Sequence, residues 1–138
     1  MRVVLDASVL IKWLIRDPGR ESDTERATEL VGRFGSDGSD LILPPHWLAE
    51  VASVLVRLSP ATAAADIGGL CLFEWPVLDE PEVYRRAIAM ASQLKHHLFD
   101  TLYHAVALEA EATLVTADEI YWRKARRFGA IKRLREAA

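Results

Sequence analysis

The chain has 138 residues, about half of them apolar, and a formal net charge of −3, which suits a single domain with its own hydrophobic core. Its one cysteine excludes an internal disulfide and a zinc site built on several thiolates. Asp6 and Lys12 interrupt the first apolar run, and no charge-free stretch reaches the roughly 18 residues of a membrane span, so we expect no signal peptide, no membrane segment and a soluble cytoplasmic protein.

The first half of the chain alternates short apolar runs with helical patterns. Ser22 and Glu25 have the spacing of a capping box, and the glycine- and aspartate-rich residues 35–40 end the helix that they open. The predicted elements are a strand over 2–6, a helix over 8–14, the helix opened by Ser22, a strand over 41–43, and a helix from Pro44-Pro45 to Leu58.

The second half continues the alternation. Pro76 restricts residues 74–78 to an edge strand, because proline cannot donate to a ladder. The other predicted elements are a helix from Ser59-Pro60 that Gly68-Gly69 weakens, helices over 82–95 and 100–111, a strand over 113–116, and a last helix closed by Gly129. Short strands separated by helices predict an α/β fold with a central, mostly parallel sheet flanked by helices.

Two aspartates follow the clearest apolar runs. Asp6 ends the first run and Asp118 follows the strand over 113–116. Ligand sites of open parallel sheets form beyond the carboxyl ends of the strands, so two acids delivered there predict a cation site. Thr116 and Glu119 have capping-box spacing around Asp118, which gives those two a structural role and leaves Asp118 without one.

Two helical acids complete the candidate set, although each acid also has an ordinary explanation. Asp100 precedes a helical apolar pattern and Glu50 flanks an apolar stripe. Asp100 and Asp6 could simply be helix N-caps, and a boundary glutamate is usually just solvated. Only the joint placement of the four acids favours a shared site.

Clustered carboxylates need a counter-charge. At about 5 Å and an effective dielectric of about 20, each ionised pair costs roughly 3 kcal/mol, so either a metal binds or some acids stay protonated. Hard oxygen ligands without cysteines favour Mg²⁺ or Mn²⁺ over zinc. Such ions activate water and stabilise charge on a phosphoryl group, which makes phosphodiester hydrolysis the natural hypothesis.

The charge distribution adds a candidate RNA-binding face. Residues 121–138 carry seven Lys and Arg against one Glu, a net charge of +6 that leaves −9 for residues 1–120. This end could contact phosphates, with Arg126 and Arg127 as candidates, or could be the solvated face of a last helix. Lys12 could also face a phosphate, although a solvated lysine is the default.

Other chemistries have weaker support. Three histidines surround Asp100 without forming an H-E-x-x-H pattern, so we predict that His96, His97 and His104 are surface residues. The sequence contains neither a phosphate-binding G-x-x-x-x-G-K-[ST] loop nor a dinucleotide-binding G-x-G-x-x-G loop. Ser8 has no evident histidine and aspartate partners, which argues against nucleophilic serine chemistry.

Two motifs carry a resemblance to a known family. Residues 4–13, VLDASVLIKW, resemble the opening of PIN-domain ribonucleases of the VapC toxin type, and 99–107, FDTLYHAVA, through 114–118, LVTAD, resemble their closing signature. The intervening residues 48–51, LAEV, supply the family's glutamate, and the match runs nearly end to end. Thr101 and His104 depart from the family pattern, which often has alanine and an aliphatic residue there, and this puts substrate preference in doubt more than catalysis.

The resemblance implies a single PIN domain over residues 1–138 that works as a metal-dependent endoribonuclease. It implies homodimers and a cognate antitoxin protein that blocks the site. It also implies a set of Mg²⁺ or Mn²⁺ ligands with two supporting hydroxyls: Asp6, Glu50, Asp100 and Asp118, supported by Ser8 and Thr116.

We therefore expect metal-activated water to attack an RNA phosphodiester, with single-stranded or loop RNA as the substrate because its backbone is accessible. The main alternative is a PIN-like binding module that keeps its acids but does not cut RNA. A phosphotransfer receiver is the other, although it needs paired acids after the first strand, and Asp6 has no acidic neighbour.

Overall fold

A parallel sheet lies at the centre of the fold in this computed structural model, which describes residues 1–17, 19, 21–36 and 40–137. The elements are β1 (Val3–Leu5), α1 (Ala7–Ile15), α2 (Thr24–Gly35), α3 (Trp47–Leu58), α4 (Ala63–Cys71), α5 (Pro81–Leu94), α6 (Leu98–Glu109), β2 (Thr113–Thr116), α7 (Glu119–Ala125) and β3 (Ile131–Arg133). Two 3₁₀ turns, Arg126–Phe128 and Leu134–Glu136, flank β3. Among the described residues, no helix combines the length and the apolar composition of a bilayer span.

The three strands run parallel in the order β1-β2-β3. In their register, Leu5 lies opposite Val115 and Thr116 lies opposite Arg133. All residues of β1 are fully buried, which explains the unbroken apolar run that predicted it. The predicted α/β fold with a parallel sheet flanked by helices is confirmed. The shared strand direction places Asp6 and Asp118 at one edge of the sheet.

Two of the predicted strands form isolated bridges in the structure instead of strands. Residues 41–43 and 74–78 make only single parallel bridges, one to β1 and one between Leu43 and Val77. A proline limits each segment, because Pro76 lacks the amide hydrogen that a longer ladder requires and Pro44 directly follows the first segment.

One expectation for a helix start also fails, and the glycine pair that weakens α4 does not end it. The helix expected to start at Ser22 begins at Thr24, and no side chain caps it, so the capping box is wrong. α4 continues through Gly68-Gly69 to Cys71. Both glycines face open space, so the missing side chains remove no packing there.

The basic end forms a strand that was not predicted. The helical segment stops at Gly129, as predicted, in a backbone conformation with φ of +75° that glycine adopts without strain. The chain then pairs with β2 through β3. The alternative reading of this end as the solvated face of a last helix therefore holds for Arg123 and Lys124, which are exposed on α7, and fails for the basic residues that follow Ala125. With three residues, β3 is too short to show a period in the sequence.

Candidate active site

Two of the four acids cap helices at the carboxyl edge of the sheet. An Asp6 carboxylate oxygen accepts from the Val9 amide at 3.4 Å, and an Asp118 oxygen accepts from the Tyr121 amide at 3.0 Å. The capping explanation for Asp6 is therefore confirmed, without excluding a second role. For Asp118 the predicted box is wrong: Asp118 is the cap, and Thr116 accepts from the Asp118 amide at 3.0 Å.

The other two acids lie in the first turns of helices, each beside a histidine. Asp100 is the third residue of α6, so it is not the N-cap, and its carboxylate lies 2.6 Å from His96 Nε2. Glu50 is the fourth residue of α3, and its carboxylate lies 3.3 Å from His46 Nε2. Glu50 is partly buried, so the expectation of a simply solvated boundary glutamate is wrong.

The predicted supporting hydroxyls connect the two strand ends. Ser8 donates to the Asp6 carboxylate and accepts from the Ala117 amide at 3.0 Å. The fully buried Thr116 hydroxyl also stabilises ionised Asp6 and thereby lowers its pKa. Asp6 is therefore held in one orientation from both strands.

Electrostatic effects connect Asp100 with each of the other three acids. Burial is the largest effect on Asp6 and raises its pKa from 3.8 to about 7, with a smaller contribution from the charge of Asp100. Burial likewise raises the pKa of Asp100, against the lowering effect of His96, and the charges of Asp118 and Glu50 raise it further. Asp100 thus lies within electrostatic reach of the other three acids.

Two tyrosines that sequence reasoning missed border the cluster. Tyr103 is 1% exposed, and its buried hydroxyl oxygen has no hydrogen-bond partner of ordinary geometry among the described residues, although the Ala7 amide exerts a small lowering effect on its pKa. Burial, together with the charges of Glu50, Asp6 and Asp100, raises its pKa well above the usual range, so the hydroxyl stays protonated. Burial and three of the acids similarly raise the pKa of Tyr121. Each tyrosine lies three residues after an aspartate, a spacing that puts both on one helix face and could have identified them.

The histidines do not match the surface prediction. His104 is fully buried: Nε2 lies 2.7 Å from the Gly129 carbonyl and Nδ1 lies 2.9 Å from the Tyr121 hydroxyl. This pairing fixes the proton on Nε2, which must donate to the carbonyl, and burial lowers the His104 pKa. His96 lies between Lys124, whose ammonium is 3.2 Å from Nδ1, and Asp100. Of the three predicted surface histidines, His97 is the exposed one.

Of the three predicted RNA-binding cations, Lys12 is buried and paired with an acid, whereas Arg126 and Arg127 are exposed. Lys12 is 9% exposed and its ammonium binds Glu21 at 3.0 Å, so it is not a simple solvated lysine. Arg126 and Arg127 are exposed and lie over aromatic rings at 5.0 and 5.2 Å from the ring centres, those of Trp122 and Phe128. Trp122 also stacks with Arg133 at 4.0 Å.

The donor chemistry of the cluster fits Mg²⁺ or Mn²⁺. Four carboxylates and two hydroxyls offer hard oxygen ligands, and the raised Asp6 and Asp100 pKa values show an unmet need for positive charge. The partnerless Tyr103 hydroxyl adds an orphaned polar group. Within the described part of the chain, no three acidic, histidine or cysteine side chains already stand in a metal-ready arrangement. His96 and His46 engage two of the acids, so cation binding requires those carboxylates to turn.

Comparison with known proteins identifies the family. The PIN domain family model matches residues 3–127. The chain belongs to the PIN-domain family. No curated protein matches it significantly.

Solved structures share the fold of this PIN domain at low identity. PAE2754 of Pyrobaculum aerophilum is 15% identical with a TM-score of 0.68, over 99% of this chain and 91% of that chain. A toxin-antitoxin complex of Klebsiella pneumoniae is 13% identical with a TM-score of 0.65, over 94% of this chain and 95% of that chain. The sarcin-ricin loop cleaving toxin VapC20 of Mycobacterium tuberculosis is 16% identical with a TM-score of 0.64, over 81% of this chain and 86% of that chain.

The two departures from the family pattern both serve the fold. Thr101 is fully buried in α6 and donates to the Ala87 carbonyl of α5 at 2.9 Å and to the Leu98 carbonyl at 3.0 Å. His104 links α6 to the turn at Gly129. Their contacts therefore connect structural elements and point away from a role in substrate choice.

Proposed function

We propose that this PIN domain, spanning residues 1–138, is a metal-dependent endoribonuclease of the VapC type that acts as the toxin of a toxin-antitoxin pair. The observation that carries the proposal is the convergence of Asp6, Glu50, Asp100 and Asp118, from four separate elements, on one partly buried cluster in which burial raises the pKa of Asp6 and of Asp100. The likeness to a toxin-antitoxin complex and to an RNA-cleaving toxin supports the same reading.

The four acids would hold Mg²⁺ or Mn²⁺, with Ser8 and Thr116 in support. When bound, the cation supplies a lowered pKa for a coordinated water and stabilisation of charge on the phosphoryl oxygens. Ser8 and the Ala117 amide fix the strand ends on either side of Asp6, and the Tyr121 amide orients Asp118. These contacts hold Asp6 and Asp118 in place before RNA arrives, whereas Asp100 and Glu50 must turn away from their histidines.

His96 and Tyr103 control protons at the cluster. The Lys124 ammonium donates a hydrogen bond to His96 Nδ1, so the ring proton of His96 is on Nε2. His96 Nε2 in turn donates a hydrogen bond to the Asp100 carboxylate. The Tyr103 hydroxyl keeps its proton and offers it to the space among Glu50, Asp6 and Asp100. The cluster therefore contains protonated donors that can bind a phosphate oxygen as well as carboxylates that bind a cation.

The substrate that we propose is single-stranded or loop RNA, because its backbone can enter a cluster of this kind more readily than a duplex. Exposed Arg126 and Arg127, and Lys12 if it leaves Glu21, would contact RNA phosphates. We further propose a homodimer, a cognate antitoxin protein and a cytoplasmic location, the first two by analogy with the family and with the complex from Klebsiella pneumoniae.

One observation favours a second candidate function, a PIN-like module that binds RNA or protein without cutting. His96 and His46 occupy Asp100 and Glu50, and no metal-ready group of three side chains is preassembled among the described residues. In this reading the histidine contacts keep Asp100 and Glu50 from binding a cation. Turnover separates the two functions.

The test is incubation of total RNA with the purified protein and Mg²⁺ or Mn²⁺. An EDTA sample, Asp6→Asn and the exposed-site control Asp40→Asn run alongside. The proposal predicts discrete fragments from the wild type and Asp40→Asn, and none from the EDTA sample or from Asp6→Asn. Absence of cleavage by folded, antitoxin-free protein would favour the binding module.

A further inference from the structure

An exposed phenylalanine stands at the edge of the acid cluster. Phe99 directly precedes Asp100 in the first turn of α6 and is 58% exposed, although large aromatic side chains normally bury most of their surface. It lines a pocket of about 400 Å³ with Glu50, His97, Leu98 and Asp100. The acids and an open aromatic face therefore border the same space.

Phe99 is the outer member of a stack of three aromatic rings. His46 lies 5.0 Å from Phe99, centre to centre, with the planes tilted by 33°, and 4.8 Å from Tyr103 in an edge-to-face arrangement. Phe99 and Tyr103 are four residues apart, so they lie on one face of α6. The stack runs from the surface to the hydroxyl that borders the acids.

Ring packing against Phe99 and Tyr103, rather than hydrogen bonding, holds His46 in this stack. Within the described part of the chain, neither of its buried nitrogens has a hydrogen-bond partner, and the 3.3 Å approach of Nε2 to Glu50 lacks hydrogen-bond geometry. A buried imidazole without a hydrogen bond is costly, so its position depends on packing between Phe99 and Tyr103. His46 thereby packs against Phe99, and 58% of Phe99 stays exposed.

Two lysines line a second pocket that shares His97 with the pocket of Phe99. His97 also lines an adjoining pocket of about 440 Å³, together with Lys95 and Lys124. Single-stranded nucleic acids bind where a cationic path for the backbone runs beside aromatic rings for the bases. An anionic phosphate would avoid unscreened carboxylates, whereas an uncharged base can lie against Phe99 beside them.

We propose that the open face of Phe99, backed by His46, is a stacking subsite for one base of single-stranded RNA, next to the acid cluster. The inference rests on the proposed ribonuclease function, since it takes the ligand to be RNA. Every base has a π face, so the subsite adds affinity and sets the position of the strand while tolerating any base. Loss of one such stack corresponds to a weakening of about 5- to 150-fold.

The test uses a short single-stranded RNA carrying 2-aminopurine, whose fluorescence falls on stacking, in EDTA and in Mg²⁺. Wild type is compared with Phe99→Ala, Phe99→Tyr and Ile88→Ala, a control matched in exposure at 57% and outside the pocket lining. We expect quenching and equal affinity for wild type, Phe99→Tyr and Ile88→Ala, and loss of quenching with about 5- to 150-fold weaker binding for Phe99→Ala.

Cleavage of total RNA by the same preparations separates this inference from the proposed function. If the wild type cuts RNA but Phe99→Ala binds and quenches like the wild type, the subsite is refuted and the nuclease stands. If the wild type does not cut but quenching depends on an aromatic residue at position 99, the nuclease is refuted and the subsite stands. RNA that binds to no variant, or wild-type binding without quenching, refutes the subsite.

Discussion

Replacement of Asp6 by asparagine should stabilise the metal-free protein at alkaline pH. Burial raises the Asp6 pKa from 3.8 to about 7, so the folded state disfavours the ionised carboxylate. Asparagine has nearly the same shape and keeps an oxygen that accepts from Ser8 and from the Val9 amide. The variant therefore removes the buried charge and retains the cap.

The size of the effect follows from the shift in pKa. Each tenfold change in proton affinity is worth about 1.4 kcal/mol, so a change from 3.8 to about 7 corresponds to about 4 kcal/mol. Asp6 keeps some solvent contact, which reduces the expected gain in unfolding free energy to about 2–4 kcal/mol above pH 7.

The sign of the pH dependence is also determined. The folded protein binds the Asp6 proton more tightly than the unfolded chain does, so the wild type loses stability as the pH rises from about 4 to about 7. Asp6→Asn should lack this contribution. The difference between the two proteins should therefore be small at pH 4 and largest at pH 8.

Urea unfolding of both proteins in EDTA at pH 4, 6 and 8 measures these differences, with the exposed-site variant Asp40→Asn as a control. Added Mn²⁺ should stabilise the wild type and have little effect on Asp6→Asn. The reasoning is refuted if Asp6→Asn is less stable than the wild type at pH 8 in EDTA, or if the gap between them does not depend on pH.

Three other changes follow from the same geometry. Tyr103→Phe removes a buried hydroxyl that has no hydrogen-bond partner among the described residues. Urea unfolding should therefore show an unchanged or higher free energy of unfolding, while RNA cleavage falls. A loss of more than about 1 kcal/mol in the free energy of unfolding would mean that the hydroxyl is paired. Thr101→Val removes hydrogen bonds to Ala87 and to α6 and should cost about 1–2 kcal/mol without altering the cleavage pattern; new fragments would instead give this position a role in substrate choice. Joint replacement of Arg126 and Arg127 by alanine should reduce the slope of the logarithm of the RNA-binding constant against the logarithm of salt concentration by about 1.4. An unchanged slope would exclude phosphate contacts at these two residues.

The sequence predicted the edge at which the acids meet because strand direction determines it. β1 is a fully buried apolar run and β2 is mostly buried. Acids that closely follow two parallel strands lie at the same edge of the sheet, as Asp6 does after Leu5 and Asp118 does two residues after Thr116. Asp100 and Glu50 had weaker support, because they became candidates only through the joint placement of the four acids and through the resemblance to the family. Helical periodicity alone left both as ordinary surface acids or caps.

The features that the sequence did not predict depend on contacts between distant segments. β3 has three residues and exists because it pairs with β2, and His104 is buried because Tyr121 and Gly129 satisfy its ring nitrogens. Likewise, the stack on His46 joins the start of α3 to the start of α6. Local patterns carry no signal for such pairings.

Cleavage of a single-stranded RNA as a function of Mn²⁺ concentration tests the central claim most directly, with wild type and Asp100→Asn as the two proteins. We expect saturable, EDTA-reversible cleavage by the wild type and none by a folded Asp100→Asn. Cleavage that is independent of Mn²⁺, or equal in the two proteins, would contradict a metal-dependent nuclease built on these four acids.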